Sequence, residues 1–416
     1  MQATQGRLRR DLEANAQFGA LEAVDGNGRT VLTGTDANRG ARERLVGRFE
    51  DAGLDVTVDA VGTIVGRWTP DGADPSAEPV ATGSHLDSVP RGGIFDGPLG
   101  VYGGLEAVRT LQESDCDLGR PLEVVCFTEE EGGRFGNGLL GSSVATGRID
   151  VNEALSFEDD AGTDLETSLE RIGFLGEGRV DASEWDAWLE LHIEQGRTLE
   201  RRDTAVGVVS TISGITHCYL DLVGEANHAG STPMGSRADA LTAASEIVLA
   251  LESAARRHVE ERSSTAVATV GHLEASPNAT NVVPGDVRLG VDVRDVTQHS
   301  IETLVAALED SARAVERDRP IETALSRPYD VAPEAMAERC RNALQSASDA
   351  VGVEAVSMHS GAAHDTMNVS RVTDAGLLFA PSVDGVSHNP REWTHWEDCA
   401  TAVTVLAEAL CDLAVT

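Results

Sequence analysis

Five side chains scattered along the chain are of types that bind divalent cations: His85, Asp96, Glu131, His192 and His388. His85 and Asp96 share the glycine-rich stretch 83–100, GSHLDSVPRGGIFDGPLG. Three imidazoles and two carboxylates suit borderline cations such as Zn, Mn, Co or Ni. Two cations sharing one carboxylate would use all five ligands and leave room for a water. Such a pair lowers the pKa of the water and clamps a tetrahedral intermediate. Hydrolysis of this kind also needs a base, and Glu130, next to a ligand, is the candidate. Asp87 is read as the group that orients the His85 ring.

These residues must be delivered by strands. The short strand 80–82 leads into Gly83-Ser84-His85, and the apolar run 122–128 (LEVVCFT) ends directly on Glu129, Glu130 and Glu131. Three acids at a strand end repel one another unless cations offset them. The segment 187–193 (AWLELHI) alternates, with Leu189, Leu191 and Ile193 on one face and Glu190, His192 and Glu194 on the other. Sites in open α/β sheets gather at the carboxyl ends of strands. Pro98 suits the first turn of a helix whose buried stripe is Leu105, Val108 and Leu111.

Upstream, the pattern predicts helices at 4–24 and 38–52 and strands at 55–61 and 62–67, and an acidic, irregular stretch covers 151–184. After Gly207 it restarts: a strand at 216–224, a helix at 239–256, strands at 265–272 and 286–294, and a helix at 301–316. That succession predicts a small α+β domain inserted into an α/β domain. The expected boundaries are 1–210 for the first part of the catalytic domain, 211–326 for the insert and 327–416 for the second part. The last part carries a helix at 332–351, strands at 355–359 and 376–380, and a helix at 396–413.

A chain of 416 residues exceeds what one core usually serves, which agrees with two domains. It carries 33 basic residues, all arginine, against 69 acids, a net charge of -36. A lysine-free, acid-rich surface predicts a protein adapted to high salt, where screening shortens to ~3 Å at 1 M. It also excludes nucleic acid and anionic membranes as partners, since both require a basic footprint. The six cysteines form no C-x-x-C pair, which argues against a cysteine zinc site and a disulfide scaffold. With no signal-peptide pattern and no run of ~18 apolar residues, the expected location is the cytoplasm.

The strings GSHLDSV, FDGPLG, EEEGGRF, LHIEQG, ANHAGSTPM, PNATNVVPG, SGAAHD and SHNPRE, in this order, resemble the M20-type metallohydrolases. More narrowly, they resemble the amidase/hydantoinase/carbamoylase branch, which includes N-carbamoyl-L-amino-acid amidohydrolases, allantoate amidohydrolases and β-ureidopropionases. The resemblance implies a zinc-exopeptidase-like catalytic domain, a mixed sheet flanked by helices, with an inserted dimerisation or lid domain. It implies two divalent cations per subunit, one on His85, Asp96 and His388 and the other on Asp96, Glu131 and His192. Glu130 would be the general base and Asp87 the acid behind the first histidine. His228 of the insert would reach the partner subunit's site in a homodimer and polarise the scissile carbonyl. Gln195, Asn281 and Arg294 would grip the substrate, Arg294 by a fork on its carboxylate, and Gly361 and Ala362 would line the pocket. The substrate implied is a small ureido or carbamoyl carboxylate.

Competing readings stay open. Arg294 could pair with Asp292 or Asp295 instead, and His228 could cap the turn before Ser231-Thr232-Pro233. The family's G-A-G-H-D reads Gly361-Ala362-Ala363-His364-Asp365 here, which bears on pocket shape. An aminoacylase or dipeptidase on the same scaffold, and a metal-binding dimer without catalysis, are the alternatives in function.

Overall fold

A computed structural model describes residues 1–22, 25–136 and 138–415. The strands in chain order are β1 Asp55–Val58, β2 Ile64–Trp68, β3 Val80–His85, β4 Leu122–Phe127, β5 Ala187–Ile193, β6 Val206–Ile212, β7 Gly214–Val223, β8 Asn227–His228, β9 Val267–Ser276, β10 Val282–Val283, β11 Asp286–Asp295, β12 Glu322–Val331, β13 Glu334–Ala335, β14 Ala355–Ser360 and β15 Ala375–Ala380. The chain divides into two compact units, Met1–Ser210 with Ala335–Thr416, and Thr211–Glu334.

The first unit is built on a mixed sheet in which β1, β2, β4, β3, β5, β15 and β6 lie side by side. At its centre β4, β3, β5 and β15 all run parallel. Parallel strands end at the same edge, so His85, the 129–131 acids and His192 are delivered together. All residues of β3, β4, β5 and β15 are buried. The alternation read in β5 therefore does not mark a solvent face: Glu190 and His192 are as enclosed as Leu189 and Leu191. Both faces of a central parallel sheet are covered by crossover segments, and the polar face of β5 meets other polar groups there. Glu190 accepts hydrogen bonds from the Ser84 hydroxyl at 2.8 Å and the Thr366 hydroxyl at 2.6 Å.

The helix Pro98–Gln112 packs closely against β3 and β5 because its inner face is glycine. A Cβ on Gly100 would lie 2.4 Å from the Leu191 carbonyl oxygen. The helix Trp396–Ala414 also packs on the helix Pro98–Gln112.

The second unit holds a four-stranded antiparallel sheet, β12-β7-β11-β9, with the helices Ala240–Glu261 and Gln298–Asp318 against it. Here the period of two does separate the faces. Val287, Leu289, Val291 and Val293 of β11 join the core with Cys218, Leu220 and Leu222 of β7.

Several expectations need correction. The first helix spans Gln5–Asn15 rather than 4–24, and Ala20 already bridges Arg29; residues 23 and 24 lie outside the described ones. The second unit runs past 326, because β12 keeps pairing with β7 as far as Val331. The helix expected at 332–351 starts at Glu338. Cys116 and Cys411 are disulfide-bonded across a sequence separation of 295, which no local spacing could announce.

Candidate metal centre

Asp96 follows the loop that leaves β3, and its side chain is 5% exposed. Its two oxygens face different groups. Oδ1 lies 3.2 Å from His192 Nε2 and 3.8 Å from His85 Nε2. Oδ2 lies 3.5 Å from His388 Nε2, which is itself 3.3 Å from Glu131 Oε2. The five ligands expected from the sequence thus converge as two triads, His85–Asp96–His192 and Asp96–Glu131–His388, with donor atoms within 4.8 Å in each. The histidines are exchanged relative to the expected pairing. His192 falls with His85 because β3 and β5 are adjacent, whereas His388 arrives from a loop beside the 129–131 segment.

The residues fit divalent cations. An ion with bonds of ~2.1 Å in tetrahedral geometry separates its donors by roughly 3.4 Å, which falls among the donor separations seen here. His85 Nε2 is buried with no hydrogen-bond partner among the described residues. A buried nitrogen left unpaired is costly, and a cation would relieve it. Burial opposes charge on both Asp96 and His192, yet each holds the other's charge. Asp96 is kept well below the usual carboxylate range, and His192 is raised to about 9. The Glu131 carboxylate raises His388 likewise to about 9.

The three consecutive acids divide their work. Glu129 is buried with φ of 55°, and its Oε1 accepts from the Arg134 and Phe135 amides at 2.7 Å each. It shapes the turn. The amides of Glu130 and Glu131 donate to the two carboxylate oxygens of Asp87, at 3.3 and 3.1 Å. Asp87 contacts His85 chiefly through its main-chain carbonyl, 3.1 Å from Nδ1, while its nearer carboxylate oxygen is 3.8 Å away. Its carboxylate therefore anchors the acidic segment rather than the imidazole. Glu130 Oε2 lies 3.5 Å from His85 Nε2. Burial, then the neighbouring Glu131 charge, raises the Glu130 carboxyl well above its ordinary value.

Gln195 stands at the end of β5 with φ of 57°. Its amide nitrogen donates to Asp96 Oδ2 at 2.9 Å and to Ser387 Oγ at 3.1 Å. Gly361 and Ala362 follow β14, with the Ala362 amide donating to Ser360 Oγ at 3.2 Å. His228, Asn281 and Arg294 belong to the second unit. His228 pairs with Val282 in the small β8–β10 ladder, and the Ala229 amide donates to the Asn281 carbonyl at 2.9 Å. His228 Nδ1 accepts from the Gly230 and Ser231 amides at 3.1 Å each, so the turn-capping contact exists and leaves Nε2 as the protonated nitrogen. The Arg294 guanidinium pairs with Asp292, Nε to Oδ1 at 2.9 Å, and Asp292 also meets His217 at 3.0 Å.

The sequence reading passed over two groups that hold Asp96. Ser387 Oγ donates to Asp96 Oδ2 at 2.6 Å, and Glu392 Oε1 accepts from the Asp96 amide at 3.1 Å. Both lie beside His388 in the string SHNPRE, where neighbouring a ligand was the available signal.

Residues 81–412 match the peptidase family M20/M25/M40. The chain belongs to that family. Within it, the chain is 36% identical over 402 residues to an N-carbamoyl-L-amino acid amidohydrolase of Geobacillus stearothermophilus, covering 96% of each. It is 34% identical to an allantoate amidohydrolase of Bacillus subtilis, covering 97% of this chain and 96% of that one. A solved amidase of the hydantoinase/carbamoylase family from Burkholderia multivorans superposes with a TM-score of 0.93 at 35% identity, covering 100% of this chain and 99% of that one. The matched span contains every residue of the two triads, from His85 to His388.

Proposed function

We propose that this M20-family chain is an amidohydrolase that cleaves the carbamoyl C–N bond of an N-carbamoyl-L-amino acid or a related ureido acid such as allantoate or 3-ureidopropionate. The convergence of four other candidate ligands around the two oxygens of Asp96 carries this reading. The activities named for full-length relatives support the substrate class.

Two divalent cations, of Zn, Mn, Co or Ni, held by the two triads would lower the pKa of water and polarise the carbonyl. Glu130, raised by burial and by Glu131, takes a proton from the attacking water and returns it to the departing nitrogen. Asp87 fixes the segment carrying Glu130 and Glu131 through their amides. Gln195 steadies Asp96 and Ser387 and offers its Oε1, which has no partner among the described residues, to the substrate. His228, protonated at Nε2, donates to the scissile carbonyl of the partner subunit's substrate in a homodimer formed through the second unit. Arg294 receives the substrate carboxylate by exchanging it for Asp292, and Asn281, Gly361 and Ala362 complete the pocket. The enzyme works in the cytoplasm at high salt.

The test is product release after loading with Mn, Zn, Co or Ni. Ammonia from N-carbamoyl amino acids or allantoate, with little hydrolysis of N-acetyl amino acids or dipeptides, is the expected result. Preference for the N-acyl or dipeptide substrates would make it an aminoacylase or dipeptidase. Bound metal with no hydrolysis at all would leave a binding protein.

A further inference from the structure

Glu392 is 1% exposed, and its carboxylate reaches Asp96 by two routes. Oε1 accepts from the Phe95 amide at 2.8 Å and the Asp96 amide at 3.1 Å. Oε2 lies 3.1 Å from Ser387 Oγ, which sits 2.6 Å from Asp96 Oδ2. One side chain thus holds the main chain of Asp96 with one oxygen and reaches its carboxylate, through Ser387, with the other. The Glu392 amide donates to the Asn389 carbonyl at 2.9 Å, closing the turn that also presents His388 with φ of 52°.

The approach is prepared from the other side. A Cβ on Gly93 would lie 2.1 Å from the Glu392 carboxyl carbon, so only glycine admits the acid there. Arg29, fully buried, donates to the Leu86 carbonyl at 3.1 Å and the Gly93 carbonyl at 3.0 Å, tying together the ends of the loop between His85 and Asp96. A buried carboxylate is tolerated only when its hydrogen bonds replace water, and those made by Glu392 join the 387–392 turn to the Asp96 loop.

We propose that Glu392 is a positioning residue that locks Asp96 to the His388 turn, so that Oδ2 can serve the Asp96–Glu131–His388 triad while Oδ1 serves His85 and His192. The inference rests on the two-cation reading given above. His85 and His192 are carried by β3 and β5, whereas His388 is carried by the turn that Glu392 closes. Its loss therefore frees both the Asp96 loop and the His388 turn and weakens the Asp96–Glu131–His388 triad more than the other, whereas a merely structural role would weaken both alike.

The experiment is equilibrium dialysis of the full chain against Mn, with metal counted per chain, on wild type, Glu392→Ala, Glu392→Gln and Gly93→Ala, folding being followed by circular dichroism. Gly93→Ala keeps the acid but displaces it. Glu392→Gln keeps side-chain shape and a carbonyl acceptor, so it stays informative should the alanine variant fail to fold. Wild type is expected to take two Mn. The folded variants are expected to hold one with an affinity within a few fold of wild type and the second at least tenfold more weakly. Two Mn bound by every folded variant with wild-type affinities, or equal weakening of both, would overturn the role of Glu392 alone. Fewer than two Mn on wild type would overturn the two-cation reading and this inference with it.

Discussion

The Nε2 of His192 stands 3.2 Å from Oδ1 of Asp96, at the carboxyl end of a strand buried on both faces. That contact sets one half of the centre, and the opposite oxygen of the same carboxylate sets the other.

Glu130→Gln preserves shape and removes the base. Metal content should stay at the wild-type level while kcat falls by about 10²–10⁴. Metal analysis together with ammonia release checks both halves, and activity within tenfold of wild type would remove Glu130 from the mechanism.

Gly97→Ala should disturb the centre without changing a ligand. The residue has φ of 81°, and a Cβ there would lie 2.5 Å from the His85 ring. Displacing that ring should weaken Mn binding at least tenfold, and overpacking should cost about 1–3 kcal/mol in stability. Chelator competition and urea unfolding report the two effects separately.

Chelation should lower Tm reversibly. Without cations, Asp96, Glu130 and Glu131 face one another in a largely buried site, and a ligand present at 100 times its Kd stabilises by about 2.7 kcal/mol. A Tm that does not change when Mn is added back would contradict the site.

The charge of -36 makes a separate prediction. Raising KCl from 0.1 to 1 M shortens screening from ~10 to ~3 Å, which should raise both Tm and activity. Full activity in dilute buffer would count against salt adaptation.

Asp59 supplies a pH test far from the metal ligands in sequence. Burial pushes its carboxyl up to about 6, against the amides of Thr63, Val180 and Val61 that donate to it. The folded state therefore holds this proton where the unfolded chain has released it. The stabilisation is complete below the unfolded value of 3.8 and is lost as pH rises through about 6. Relative to wild type, Asp59→Asn should gain about 3 kcal/mol between pH 4 and 7. Parallel stability curves for the two proteins would refute the assignment.

Four of the candidate ligands lie at a local signal in the sequence, and His388 stands in the string SHNPRE. The apolar run of β4 stops at Glu129, and glycines surround His85 and Asp96. How the ligands pair could not be read. It depends on which Asp96 oxygen turns toward which histidine, and strand order decides that. In β5 the alternation does not show that both faces are buried, because a central strand can set polar residues against Ser84 and Thr366. Asp87 follows His85 closely enough to suggest a side-chain contact, yet the main-chain carbonyl makes it, a choice set by backbone direction. Glu392 and Arg29 are ordinary residues in sequence, and only tertiary packing aims them at the Asp96 loop.

Anomalous diffraction from crystals loaded with Mn tests the central claim most directly. Two peaks are expected, one among His85, Asp96 Oδ1 and His192 and the other among Asp96 Oδ2, Glu131 and His388. A single peak, or peaks that do not share Asp96, would contradict the account.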